Sequence, residues 1–452
     1  MLKKLKSELF IKAILFPIII AVAIITVIIL YRDNTADQIP LIRSPYNKTL
    51  NVQLVAEGLT FPTSMAFIND KELLISEKDK GTIRLVSLDD GSLKEKPLVK
   101  VNVEAEGERG LLGIAAITKS NTSMYRKDAI PNNDTDVFVY YSDTEVPRNR
   151  IYKYQWDGDS LINPQLILDL PTEPGPYHQG GKLKVSPDNK FLYAVIGDLN
   201  APNSRLQNFE DGKEVNDTSV ILKINVDNNN TMSSLGNNST EVTFCPSSYN
   251  TTADEKPSKR NYCYYAYGIR NSFGLAFDPI TGQLWDTENG EDSYDEINLV
   301  EPGFNSGWAQ LMGPYDRNIN ATVQVSLVNF TGSHYADPAF SWRFPIGVTD
   351  IEFLNSANLG SKYRNNIFVG DINNGNLYYF EVNGNRSGLT FDQTLYSSAA
   401  NLTDLVADDI NESSAITFGT NFGRITDIET GPDGFLYILS YGEGKIYRIV
   451  PS

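Results

Sequence analysis

The chain carries two histidines, His178 and His334. His178 ends a Pro/Gly-rich stretch, PTEPGPYH, and precedes an alternating run, which places it on a loop or at a strand start. Imidazole changes charge near neutral pH, so it suits a general base. Asp198 closes the same phrase, HQGGKLKVSPDNKFLYAVIGD (178–198). A carboxylate on one ring nitrogen fixes the tautomer and leaves the other nitrogen to accept a proton. The plainer reading of His178 is a partly buried histidine bonded to a backbone carbonyl. Arg270 and Asn271 lie in GIRNSFG. An arginine fork suits a carboxylate or an electron-rich oxygen; its alternative is to brace a loop between strands. The run ENGEDSYDE carries Glu288, Glu291, Asp292, Asp295 and Glu296 around Gly290. Hard oxygen ligands on a Gly-containing loop suit calcium. A solvated loop, or hydrogen bonds from Asp295 and Glu296 that close one unit onto the next, is the other reading. Glu108 in GERGLLG is either a ligand contact or a solvated turn acid. Trp342 in SWRFPIG offers either a stacking face or a core side chain.

A repeated strand phrase must position these residues. Residues 62–86 (PTSMAFINDKELLISEKDKGTIRLV) and 423–450 (GRITDIETGPDGFLYILSYGEGKIYRIV) both run strand, Asp/Gly turn, strand, Gly turn, strand. The phrase recurs in part at 181–198, 273–290 and 347–382, and a further unit spans 110–156. Roughly 400 residues over six units leave about 67 each, enough for four strands and their loops. No long helical period is present. The pattern predicts an all-β, six-bladed β-propeller over residues 51–452; two packed sandwiches would not repeat one turn phrase.

Composition narrows the function classes. A formal charge of −17 argues against a nucleic-acid binder, which needs a basic footprint. The two cysteines, Cys245 and Cys263, exclude a disulfide framework and a multi-cysteine zinc site. Residues 13–30, AILFPIIIAVAIITVIIL, carry no charge and as a helix reach roughly 27 Å, near the thickness of a bilayer core. Lys3, Lys4, Lys6 and Lys12 precede them, so the N-terminus is expected in the cytoplasm and the rest outside. The expected organisation is a basic end and transmembrane anchor at 1–32, a polar linker at 33–50 and then the propeller. A cleaved signal peptide is the rival, but VIILYRDN lacks small residues for cleavage. An outside location agrees with N-x-S/T sequons at positions such as Asn47, Asn229, Asn329 and Asn401. It also permits a Cys245–Cys263 disulfide across a Ser/Asn/Lys-rich stretch, with two free thiols as the alternative.

With these phrases assembled, the chain from 51 to 452 resembles the soluble glucose/sorbosone dehydrogenase family, six-bladed propellers that use pyrroloquinoline quinone (PQQ). The resemblance rests on GERGLLGIA (107–115), HQGGKLKVSPDNKFLYAVIGD (178–198), YGIRNSFGLAFDPITGQLWDTENGEDSYDEINLVEPGFNSGW (267–308) and GRITDIETGPDGFLYIL (423–439). It implies oxidation of the anomeric hydroxyl of aldoses outside the cytoplasm, with hydride passing to PQQ and then to an artificial or membrane electron acceptor. It implies His178 as base, Asp198 as its orienting carboxylate and Arg270 and Asn271 against the quinone. Glu108 and Tyr177 fall near the sugar. The activating calcium would take backbone oxygens matching Asn289, Gly290 and Glu291. The chain departs from the family at the cations that hold the three PQQ carboxylates. Arg424 matches one last-blade arginine, but Thr426 replaces the second and Asn373 replaces a fifth-blade lysine. Each lost charge-assisted contact weakens binding by about 1.5–3 kcal/mol. Lys182 and Arg343 are candidates to compensate. The rival function is a non-catalytic, glycosylated surface propeller that binds glycan or protein.

Overall fold

The computed structural model describes residues 39–46, 49–118, 135–201, 203–212, 217–226, 232–233, 244, 262–318, 325–392 and 401–452. Their strands form six sheets of four to six strands. Each sheet opens with an inner strand: Pro62–Phe67, Leu111–Thr118, Leu183–Val185, Ser272–Phe277, Val348–Phe353 and Ile425–Thr430. Each inner strand packs on the next, and Ile425–Thr430 packs back on Pro62–Phe67, so the ring is closed. The architecture is an all-β propeller.

Strand alternation makes this arrangement self-consistent. Thr135–Asp143 is buried at every residue because successive side chains face two different neighbours. Val137, Val139 and Tyr141 join a core with the first sheet. Phe138 and Tyr140 join a core with the third. Four further apolar clusters fill the other junctions, one between each neighbouring pair. Every sheet is thus covered on both faces without help from helices. Trp342 belongs to one of these clusters. It is fully buried against Phe340, Tyr378 and Phe380, so of its two readings the structure takes the core side chain, and its place among the substrate residues is corrected.

The ends of the chain close the ring. Leu50–Glu57 pairs antiparallel with Lys445–Pro451, from Leu50 opposite Pro451 to Glu57 opposite Lys445. The outer strand of the last sheet therefore comes from the start of the propeller. Part of the expected linker is also structured. Leu41–Ile42 pairs with Thr417–Thr420, and Tyr46 packs edge-on against Tyr363. Apolar pairing surface on the fifth sheet wins over the polar composition of that segment. Among the described residues no helix is long and apolar enough to cross a membrane. The expected anchor, residues 13–30, lies outside the described residues. Cys263 is disulfide-bonded, and the only other cysteine of the chain, Cys245, also lies outside them.

Removing residues 49–57 from the propeller strips the last sheet of its outer strand and leaves Lys445–Pro451 as an open edge. Thermal unfolding followed by circular dichroism should show Tm lower by more than about 10 °C, or no cooperative transition.

Candidate functional site

The residues of the candidate site come from two kinds of loop. Glu108, His178, Arg270 and Arg424 precede inner strands of the second, third, fourth and sixth sheets. Lys78, Asp198, Asn289, Ile372 and Tyr441 lie in turns between the second and third strands of their sheets. Up-and-down pairing brings both kinds of loop to one face of the ring. There Lys78, Glu108, Lys182, Phe273, Arg424 and Tyr441 help to line a cavity of about 270 Å³.

His178 is bonded to Glu108 of the cavity wall and is itself buried, with a left-handed backbone at φ 59°. That conformation costs a β-carbon-bearing residue about 1–2 kcal/mol. Glu108 holds it in place: its Oε2 accepts from His178 N at 2.7 Å and from Gln179 N at 3.3 Å. The same oxygen accepts from Asn271 Nδ2 at 3.1 Å, and Asn271 Oδ1 accepts from Gly180 N at 3.3 Å. One carboxylate thus ties loops of three sheets around the histidine. Gly197 permits the close approach, because a β-carbon there would lie 2.5 Å from the His178 carbonyl and 2.6 Å from that of Arg270.

The imidazole is held by Asp198, with Nδ1 and Oδ1 2.6 Å apart. Asp198 is itself fixed on all sides. Oδ1 accepts from Asn200 N at 2.7 Å, Oδ2 accepts from Trp308 Nε1 at 2.8 Å, and its own N donates to Arg270 O at 2.9 Å. A carboxylate accepting at Nδ1 puts the ring proton there and leaves Nε2 able to take a proton from a ligand. The structure therefore replaces the plainer reading, a histidine bonded to a carbonyl, with an oriented His–Asp pair. Trp308 was missed from the sequence as a functional residue; its only signal was its place at the end of GFNSGW. His334 lies elsewhere, on an outer strand of the third sheet, 3.5 Å from Glu301.

Arg270 reaches back rather than into the cavity. Its guanidinium donates to the carbonyls of Asn289 (3.1 Å) and Gly290 (2.9 Å) and lies 5.3 Å from the Trp308 ring centroid. Two of the three backbone oxygens expected to hold calcium, those of Asn289 and Gly290, thus already face a cation supplied by the chain. Glu291 is exposed, and no group of three or more acidic, His or Cys side chains among the described residues can hold a metal. Asp295 takes the loop-closing role: it accepts from Gly290 N and from Ile346, Gly347 and Val348 N at 2.8–3.0 Å. It pins this turn to the entry of the fifth sheet.

Tyr177 is half exposed beside His178. Asn373 is exposed, and its neighbour Ile372 lines the cavity instead. The side chain of Arg424 has no hydrogen bond or ion pair among the described residues and lines the cavity; Thr426 donates to Pro62 O at 3.0 Å. Arg343 is directed to Asp408 at 3.6 Å, with its side chain half exposed. Lys182 does reach the cavity, but its Nζ is committed to Asp350 (2.8 Å) and Asp427 (2.9 Å) across the ring. Burial opposes its charge, and the two carboxylates outweigh burial and raise its pKa.

Behind Arg270 lies a second buried group. Glu288 accepts from Arg270 N at 2.6 Å and from Ser306 Oγ at 2.6 Å. Asp286 and Glu296 lie on the same face of the fourth sheet, and no cation pairs with any of the three among the described residues. Burial pushes Asp286 up to about 7 and Glu296 up to about 8. Burial, then repulsion from Glu296 and Asp286, raises Glu288 well above the usual carboxylate range. Burial thus favours the protonated form of all three acids.

Residues 59–239 and 245–448 match the family model described as Glucose / Sorbosone dehydrogenase. An uncharacterised protein of Synechocystis is 24% identical over 408 residues, covering 87% of this chain and 85% of the relative. Quinoprotein glucose dehydrogenase B of Acinetobacter calcoaceticus is 27% identical over 322 residues, covering 65% of this chain and 60% of the relative. The fold is similar to the PQQ-bound aldose sugar dehydrogenase of Streptomyces coelicolor, with a TM-score of 0.57, 21% identity, and coverage of 90% of this chain and 99% of that one.

The buried acids set a pH dependence. Their folded pKa values exceed the unfolded values near 4, so the folded chain binds more protons and its advantage is full below about pH 4. That advantage is lost as pH rises through the folded values of about 7 and about 8. Tm should fall steadily between pH 5 and pH 9. Asp286→Asn should flatten that fall in a pH series of melting curves.

Proposed function

The chain belongs to the glucose/sorbosone dehydrogenase family, and on that premise we propose that it oxidises the anomeric hydroxyl of aldoses, using PQQ. The observation that carries the reading is the oriented pair of His178 and Asp198 set beside a cavity with cationic and apolar walls. PQQ is a planar tricarboxylate. Phe273, Leu112 and Ile372 offer apolar faces to its rings, and Lys78 and Arg424 bring positive charge toward its carboxylates. When bound, PQQ supplies the hydride acceptor.

The chain's own residues do the remaining work. His178 Nε2 takes the hydroxyl proton as the anomeric C–H bond is broken. Asp198 stabilises the imidazolium that results, and Trp308 Nε1 keeps that carboxylate facing the ring. Glu108 and Asn271 hold the histidine backbone at the cavity edge. Tyr177, half exposed next to His178, is placed to meet the sugar. Calcium has no step in this reading, because the Asn289 and Gly290 carbonyls accept from Arg270.

Each of the six sheets counts as one blade in this reading, the outer strand of the last coming from the chain start. The propeller follows a membrane anchor at residues 13–30 and lies outside the cell, glycosylated at some of its sequons; the apolar run, the lysines before it and the sequons support this. A non-catalytic binding propeller would not need the hydrogen bonds that converge on Asp198.

His178→Gln should lower dye reduction by PQQ-loaded protein on an aldose panel by about 10²-fold or more, with an unchanged circular dichroism spectrum. Trp308→Phe should lower kcat with less effect on KM. A His178→Gln protein that oxidised sugars at the wild-type rate would remove the mechanism.

A further inference from the structure

The family's carboxylate-holding cations are incomplete here, since positions 373 and 426 carry Asn and Thr. The cavity wall nevertheless contains a cation that the sequence did not single out. Lys78 sits in the turn after Glu72–Glu77 of the first sheet and lines the cavity. Its side chain is buried to nine-tenths, with Nζ donating to Asp79 Oδ1 at 2.9 Å and to Ala105 O at 3.2 Å. Asp79 is the exposed partner of the pair, with 40% of its side chain accessible. A carboxylate that wet can turn into water at little cost, whereas the ammonium is fixed in the wall by its surroundings. Tyr441 also lines the cavity and lies within the electrostatic reach of both Asp79 and Arg424. Lys78 and Arg424 therefore flank one stretch of wall, formed by the first and sixth sheets.

The remaining lining cation cannot serve in the same way. Lys182 is already held by Asp350 and Asp427, deep in the ring. The guanidinium of Arg424 makes no hydrogen bond or ion pair among the described residues, and Lys78 has a partner that can be exchanged.

We propose that Lys78 and Arg424 form a paired anion clamp that binds carboxylates of an aromatic ligand in this cavity, with Asp79 occupying Lys78 when the ligand is absent. The ligand exchanges with Asp79 at Lys78 Nζ, so Asp79 is a built-in competitor. The identity of the ligand as PQQ rests on the functional reading above; the clamp itself rests on the two side chains.

Opposite effects of neighbouring substitutions test this. PQQ is titrated calorimetrically into wild type, Lys78→Gln, Arg424→Gln and Asp79→Asn proteins, each first checked for an unchanged melting curve. Lys78→Gln and Arg424→Gln should each weaken binding by about tenfold or more. Asp79→Asn, a change at a solvent-exposed side chain that leaves the fold intact, should tighten it several-fold. Lys78→Gln binding within twofold of wild type, or Asp79→Asn weakening it, overturns the clamp. If the wild type binds no PQQ, the quinone reading fails, and benzene-1,3,5-tricarboxylate becomes the probe. Binding of that probe, weakened in Lys78→Gln and tightened in Asp79→Asn, supports the clamp without the quinone; equal or absent binding in all four proteins overturns it.

Discussion

Closure of the ring is the constraint on which the rest depends. A twisted antiparallel sheet buries both faces only if it has a neighbour on each side. Six inner strands that pack in a circle meet that requirement, and the pairing of Leu50–Glu57 with Lys445–Pro451 locks the circle between the two ends of the chain. The consequence for function is geometric. The loop entering every sheet and the turn after its second strand end on one face, so side chains far apart in sequence converge. Asn271 and Glu108 are 163 residues apart and touch through a single hydrogen bond.

Within that frame, two carboxylates organise the site by opposite means. Glu108 acts on backbone: it takes the N–H groups of His178 and Gln179 and so holds a left-handed histidine in place. Asp198 acts on the side chain, and its own geometry is over-determined by Asn200, Trp308 and the backbone bond to Arg270. The strain at His178 is thus carried by a network that spans three sheets. Fixing the base in advance removes reorganisation from the proton transfer it is suited to perform.

Charge is distributed unevenly around this centre. Beneath the cavity, Lys182 and Lys184 meet Asp350, Asp427, Glu352 and Glu429, which fill the middle of the ring with ion pairs. Behind Arg270, three carboxylates lack a cation among the described residues, and burial raises their pKa values. Arg270 itself spans these regions: its backbone N bonds Glu288 and its guanidinium bonds two loop carbonyls. This is a different use of the arginine from direct contact with a cofactor, and it places positive charge where a metal was expected.

The sequence by itself determined the propeller, because alternation and the recurring Asp/Gly turns are local properties that survive without tertiary information. It also singled out His178 and Asp198, through the resemblance of the phrase they bracket, and the structure brings the two within 2.6 Å of each other. Only the tertiary structure decided which polar and aromatic residues face the cavity. Trp342 and Trp308 look alike as sequence, yet the first lies on an outer strand inside an inter-sheet core and the second follows a short strand into the site. Lys78 was invisible because it lies in an ordinary turn, and nothing local says that this turn borders the cavity. Closure of the last sheet by Leu50–Glu57 was likewise out of reach, since pairing between strands almost 400 residues apart leaves no mark in either segment. Local physics sets period and turn chemistry; convergence of distant loops is set by how the ring closes.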